Sequence, residues 1–164
     1  MADAEGLNPS GGRPPYGFDP RPGHRAMLGE MLLGVDDYEL LEASPFAALV
    51  GPIHVSRISP ATFRVVVGPT VVNTMGRIHG GFVAALIDIA AGQGTRRLLA
   101  DGRGIVTVTS NIEYLGTARV GDTVDIDVTV DRDTPNVVFS SCRLTVDGRP
   151  VARAPVVFSA REAG

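Results

Sequence analysis

Asp88 is the residue of this chain from which chemistry would start. It lies in the run FVAALIDIAAGQGTRRLLA, where it is the single carboxylate. At 100° per residue, Gly81, Ala84, Ala85, Ala91, Gly92 and Thr95 fall on its side of a helix, and Phe82, Val83, Leu86, Ile87 and Ile89 fall on the other, core-facing side. Small neighbours let a backbone, a partner helix or a ligand come into contact, and a carboxylate covered in that way is partly desolvated, which raises its basicity. The plainer alternative is a packing stripe with Asp88 in solvent at its edge. His79-Gly80-Gly81 stands just before the run. A glycine costs roughly 0.5 to 1 kcal/mol relative to alanine inside a helix. At the first turn the unpaired amide N–H groups carry partial positive charge, and without a Cβ a carbonyl oxygen can reach them. A fixed carboxylate and such donors are the parts that acyl transfer to water needs: a base or nucleophile, and a place for the oxyanion. Histidine suits proton transfer near neutral pH, but beside two glycines an orienting or capping role is expected for His79.

These residues need a scaffold, and the rest of the chain reads as one. Ser44-Pro45 followed by FAALV predicts a capped helical turn, and AMLGEMLL, residues 26–33, a short helix before it. IHVSRI and TFRVVV are β-branched runs around Ser59-Pro60-Ala61 and predict two strands. The long helix follows. Beyond Gly104 everything reads as sheet: IVTVTSNIEY alternates, and TVDIDVTV puts Val124, Ile126, Val128 and Val130 on one face. VVFSSCRLTV, the turn residues Asp147-Gly148 and PVARAPVVFSA predict a closing hairpin. The fold class is therefore α+β, with one helix covering one face of an antiparallel sheet.

Bulk composition excludes several classes. With 164 residues, 44% apolar and 20% charged, a single domain is expected. A net charge of -3 with scattered basic residues gives no stripe for a phosphate backbone, so nucleic acid is not an expected partner. Cys142 is the one cysteine, so neither a disulfide framework nor a zinc thiolate cluster is expected, and no metal or other cofactor is implied. The chain lacks the pattern of a signal peptide or a membrane span, which points to a soluble cytoplasmic protein. Residues 1–24 hold five prolines and five glycines and are expected to form a flexible tail, residues 25–44 a helical extension, and residues 45–164 the domain proper.

Asn73, His79-Gly80-Gly81 and Asp88, in VVNTMGRIHGGFVAALIDIAAG, resemble the signature of the hotdog-fold thioesterases of the phenylacetate-pathway (PaaI-like) type, and NIEYLGTARVGDTV extends the resemblance over roughly residues 45 to 160. It implies an antiparallel sheet wrapped around one long central helix, with protomers paired into a dimer or a dimer of dimers and active sites at the dimer interface. It also implies an acyl-CoA substrate. Carried over by position, Asp88 is the catalytic nucleophile or general base and the Gly80 N–H polarises the thioester carbonyl. Asn73 and His79 orient water, carbonyl or loop, and Thr107 assists Asp88. Gly81 is a candidate for the substrate site, and Phe82, Phe63 and Tyr114 could line an aromatic pocket there, although the periodicity of each favours the core. Arg77, Arg96, Arg97, Arg119 and Arg132 are candidates for the CoA phosphates.

Two rivals share this scaffold. A non-catalytic acyl-CoA-binding protein would have no use for a desolvated carboxylate beside a thioester. A hydratase or dehydratase needs a paired Asp and His. Asp19 and His24 have suitable spacing, but the prolines of DPRPGH keep them off a common helix.

Overall fold

A computed structural model describes residues 37–161 apart from Ala43 and Ala100. The expected tail, the expected helix over 26–33 and the Asp19 and His24 pair lie outside the described residues. In chain order the elements are β1 (Tyr38–Leu40), α1 (Pro45–Val50), β2 (His54–Ser56), β3 (Thr62–Val66), α2 (Gly80–Leu98), β4 (Gly104–Ser110), β5 (Glu113–Tyr114), β6 (Thr123–Asp133), β7 (Val137–Val146) and β8 (Arg149–Arg161). The strands form one antiparallel sheet in the order β1-β2-β3-β6-β7-β8-β4, with β5 also pairing β8. With α2 packed on its face, this is the hotdog fold.

The alternation in β6 works as its sequence implies. Val124, Ile126 and Val128 are buried against α2, while Asp125 turns outward to an ion pair with Arg64 at 2.5 Å. A register shift after Val130 leaves that residue only half-buried. The β7–β8 hairpin turns at Asp147 and Gly148, both with positive φ (49° and 74°), as a two-residue turn requires. Ser44 caps α1 by accepting from the Ala47 N–H at 3.3 Å, with Pro45 at the first helical position. Tyr38–Leu40 falls in the span expected to be helical but is a strand. It forms the sheet edge beside β2, and the Tyr38 ring lies 4.4 Å under the Arg64 guanidinium.

Helix α2 sits on the sheet differently from the pattern of its bulky residues. Val83, Leu86 and Ile87 are fully buried, but so are Ala90, Ala91, Gly94 and Thr95, whereas Phe82 and Ile89 are only half-buried at the rim. Close approach explains the rotation. A Cβ on Gly94 would lie 2.9 Å from the Val128 Cβ, so the helix settles its smallest residues onto β6. Thr95 and Ser140 then meet between α2 and β7, with their hydroxyls 2.8 Å apart. Ala91 and Thr95 thus belong to the core, not to a contact stripe around Asp88. Asp88 stands at the edge of the buried face and is exposed, so the covering expected from its small neighbours does not come from the described residues. No helix among the described residues is long and apolar enough to cross a membrane.

Candidate active site

The first half of the site is at the middle of α2. β4 returns alongside the helix at the sheet edge, and Thr107 Oγ1 donates a 3.0 Å hydrogen bond to Asp88 Oδ1. The β4–β8 register slips between Thr107 and Thr109, a local irregularity of the kind that re-aims side chains at sheet edges. One carboxylate oxygen of Asp88 is thereby held, and Oδ2 has no partner among the described residues. A cleft of about 240 Å³ opens on this pair and is bounded by α1, α2, β4 and β8. A second cleft of similar volume, lined by Leu40, Leu41, Ala47, Ala48, Gly51, Pro52 and Ile53, contains no ionisable side chain.

The second half is at the start of α2. His79 has extended backbone angles (φ -74°, ψ 135°) and caps the helix: its Nδ1 accepts from the Gly81 N–H at 2.9 Å, and its carbonyl accepts from the Val83 N–H at 3.0 Å. An accepting Nδ1 carries no proton, so the imidazole proton sits on Nε2 when the ring is neutral. The Gly81 donor is therefore occupied, while the Gly80 N–H has no partner among the described residues. Tyr114 flanks it. The phenol donates to the Gly80 carbonyl at 3.2 Å, and the ring lies 3.5 Å from where a Gly80 Cβ would be.

Asn73 shapes the loop that leads into this turn. Its Oδ1 accepts from the N–H groups of Met75 and Arg77 at 2.9 and 3.1 Å, and its backbone bonds both Arg77 and Gly76. Gly76 supplies the positive φ of 68° that the tight loop requires. The side-chain NH₂ has no partner among the described residues.

The structure thus gathers the residues named from sequence into two groups: Asp88 with Thr107, and Gly80 with Gly81, His79 and Tyr114, preceded by the Asn73 loop. Phe82 packs half-buried against the core. The two groups are separated along α2 by eight residues, about 12 Å at the rise of an α-helix. A carboxylate and an oxyanion donor acting on one carbonyl must each lie within about 3 Å of the reacting group. The rise along α2 between Gly80 and Asp88 is longer than that spacing.

Sequence reading named Asp88, Gly92, Arg96 and Thr107 of this cleft but passed over Phe46 from α1 and Gln93 from α2, which also line it. Gly92 and Arg96, four and eight residues after Asp88, had a legible signal in helical spacing; Phe46 had none, because its place depends on how α1 packs on α2. Cys142 is buried beneath the sheet. Burial, with a smaller contribution from Asp127, pushes its thiol up to about 12, so it is an inert packing residue. Among the described residues no three His, Cys, Asp or Glu side chains are grouped to hold a metal ion.

Comparison with known proteins bears on this arrangement. Residues 75–152 match the family model described as the thioesterase superfamily, a span that includes Gly80, Asp88, Thr107 and Tyr114. A Pseudomonas aeruginosa protein named as a candidate esterase is 31% identical over 123 residues, covering 73% of this chain and 90% of the relative. Human acyl-coenzyme A thioesterase 13 is 35% identical over 75 residues, 44% of this chain and 51% of the relative. Among solved structures, a Streptococcus mutans protein bound to acetyl CoA superposes with a TM-score of 0.57 at 25% identity, over 62% of this chain and 80% of that one.

Proposed function

The chain belongs to the thioesterase superfamily, and from that membership we propose that it hydrolyses an acyl-CoA thioester to the free acid and CoA at a site completed by two protomers. The observation that carries this reading is the hydrogen bond from Thr107 to Asp88. It fixes one carboxylate oxygen and leaves Oδ2 facing an open cleft beside an otherwise conventional core. The thioester carbonyl oxygen accepts from the free Gly80 N–H at the start of α2, where the aligned peptide dipoles favour developing negative charge. Oδ2 of Asp88 then either takes a proton from the attacking water or attacks the carbonyl carbon itself. In the first route the water oxygen bonds the carbonyl carbon, the C–S bond breaks and the CoA sulfur takes the proton that Asp88 accepted. In the second Oδ2 bonds that carbon as the C–S bond breaks, and a water then hydrolyses the mixed anhydride, releasing the free acid, restoring Asp88 and supplying the proton that the CoA sulfur carries away. His79, as the cap, sets the angle at which the Gly80 N–H is presented, and Asn73 holds the preceding loop. Tyr114 shields the Gly80 carbonyl, and Gly81 and Phe82 form the wall of the first turn.

The separation of about 12 Å along α2 supports pairing Asp88 of one protomer with Gly80 of another. A surface suited to such pairing is present. β4 is the last strand of the sheet, its outer edge pairs no strand among the described residues, and Val106 and Val108 flank Thr107 with 59% and 65% of their surface exposed. An uncovered apolar edge strand is a template for a second copy, and a two-fold pairing there yields a dimer with a continuous sheet. Further pairing of dimers into tetramers is compatible with this arrangement. We place the protein in the cytoplasm, where a lone buried thiol stays reduced.

Asp88→Asn preserves shape and removes the charge. It is expected to slow CoA release by roughly 10² to 10⁴-fold while leaving acyl-CoA binding intact. Wild-type turnover in that variant would end the catalytic assignment. Label appearing in Asp88 after a single turnover in ¹⁸O-water would establish the nucleophilic route with the anhydride opened at the aspartyl carbon, since a general base gains no oxygen.

A further inference from the structure

The cleft that holds Asp88 also holds a cation that makes no ion pair among the described residues. Asp88, Gly92 and Arg96 follow one another at four-residue steps on α2, and all three line the cleft. Arg96 is exposed and makes no ion pair or hydrogen bond among the described residues. Some other arginines are engaged, Arg64 with Asp125, Arg103 with Asp101 and Asp133, Arg153 with Glu113, and of those without a partner among the described residues Arg96 is the one that lines this cleft. Its neighbour Arg97 reaches Gln93 Oε1 at 3.5 Å and lies 5.8 Å over the Phe63 ring. Glu42 also lines the cleft but makes no ion pair with Arg96.

Between the two charges the floor is bare. A Cβ added at Gly92 would meet nothing within 4 Å, and the walls on either side include Phe46, Ile89, Ile105 and Phe158. The resulting slot combines the Asp88 carboxylate and the Arg96 guanidinium with these apolar side chains and with polar ones from Glu42, Ser44, Gln93 and Thr107. Eight residues of helix separate the two Cα atoms by about 12 Å, and helical side chains lean toward the N-terminus, which brings the Arg96 head back toward Asp88. That spacing suits a short acyl chain whose far end carries an anion. The pantetheine arm between the CoA sulfur and its first phosphate, about a dozen bonds, extends to roughly 15 Å at ordinary bond lengths, so an extended arm carries the phosphates past Arg96.

We propose that Arg96 determines specificity for a dicarboxylic acyl thioester, one carboxyl esterified to CoA and the other bound free in the slot. This rests on the reading of Asp88 as the reacting carboxylate. A guanidinium can grip the distal carboxylate with two parallel hydrogen bonds, and an unsubstituted chain of equal length offers it nothing.

Glutaryl-CoA and pentanoyl-CoA differ only at the distal carbon and form the test pair. Their kcat/KM values are compared in the wild type, Arg96→Gln and Arg97→Gln. The last serves as control, because it removes the same favourable charge from the C-terminal turn of α2 without touching the slot. The wild type is expected to favour glutaryl-CoA by roughly tenfold to a hundredfold, the span of a charge-assisted contact. Arg96→Gln should abolish that preference, mainly through KM for glutaryl-CoA, with pentanoyl-CoA unchanged and its melting temperature close to that of Arg97→Gln. Arg97→Gln should keep the preference. If the wild type cleaves both substrates equally, the inference fails and the thioesterase reading stands. If Arg96→Gln slows both substrates alike, Arg96 serves the shared CoA portion and the inference again fails. If neither substrate is cleaved while another acyl-CoA of a panel is, the inference fails and the thioesterase reading stands; if no acyl-CoA of the panel is cleaved, both fail.

Discussion

Replacing Gly80 with proline removes one hydrogen atom of mechanistic interest and almost nothing of structural value. Gly80 is the first residue of α2, and its N–H bonds no group among the described residues, so the substitution breaks no hydrogen bond in the chain. Proline is favoured at that position. The preceding residue must be extended, and His79 already is, at φ -74° and ψ 135°. The new Cβ would meet the Tyr114 ring at 3.5 to 3.8 Å, ordinary contact distance. Stability should therefore hold or rise by about 0.4 to 1 kcal/mol from the stiffened unfolded chain. Catalysis should not hold: loss of one oxyanion donor costs roughly 10²- to 10³-fold in kcat. Gly80→Ala places a Cβ at the same point but keeps the N–H, so it should retain most of the activity. The assay is CoA release from an acyl-CoA panel, followed with a thiol reagent beside thermal melts of all three proteins. A folded Gly80→Pro enzyme with wild-type kcat would refute the oxyanion role, and equal losses in the alanine and proline variants would mean that crowding, not the missing donor, is responsible.

Two further predictions concern how α2 is held. Thr95→Val should cost about 1 to 3 kcal/mol by stranding the buried Ser140 hydroxyl, while Thr95→Val with Ser140→Ala should recover much of that loss; denaturant melts of the cycle decide it, and additive losses would mean that the pair is not coupled. Gly94→Ala should destabilise despite alanine's better helix propensity, because its Cβ would sit 2.9 Å from the Val128 Cβ, and overpacking costs about 1 to 3 kcal/mol against a propensity gain of about 1. A raised melting temperature would show that α2 can lift from β6 freely.

Much of this architecture was legible in the residues, and the parts that were not share a cause. Strict alternation in TVDIDVTV and the Asp147-Gly148 pair specify β6 and its following hairpin because their signals are local. The long helix begins at Gly80, next to its histidine cap, for the same reason. Which side of that helix is buried is not local. It depends on the fit of Gly94 against Val128 from a distant strand, and the bulky pattern of Phe82 and Ile89 pointed to the wrong rotation. Tyr38–Leu40 became a strand through pairing with β2, a tertiary choice that a three-residue segment does not announce. At the site, Asp88 and the glycine turn stood out by type and position, and resemblance supplied Thr107. The contact of Tyr114 with Gly80 spans 34 residues, and the place of Phe46 over the cleft depends on packing of α1 against α2. Neither has a sequence period that could reveal it.

The central claim is that Asp88 and the Gly80 N–H meet across two protomers, and subunit mixing tests it most directly. Asp88→Asn and Gly80→Pro proteins, each inactive alone, are exchanged and the mixed dimer verified by native mass spectrometry. A mixed dimer has one site carrying both defects and one carrying neither, so random pairing in a two-fold dimer predicts about a quarter of the wild-type rate. No recovery from a verified mixed dimer would contradict the shared site.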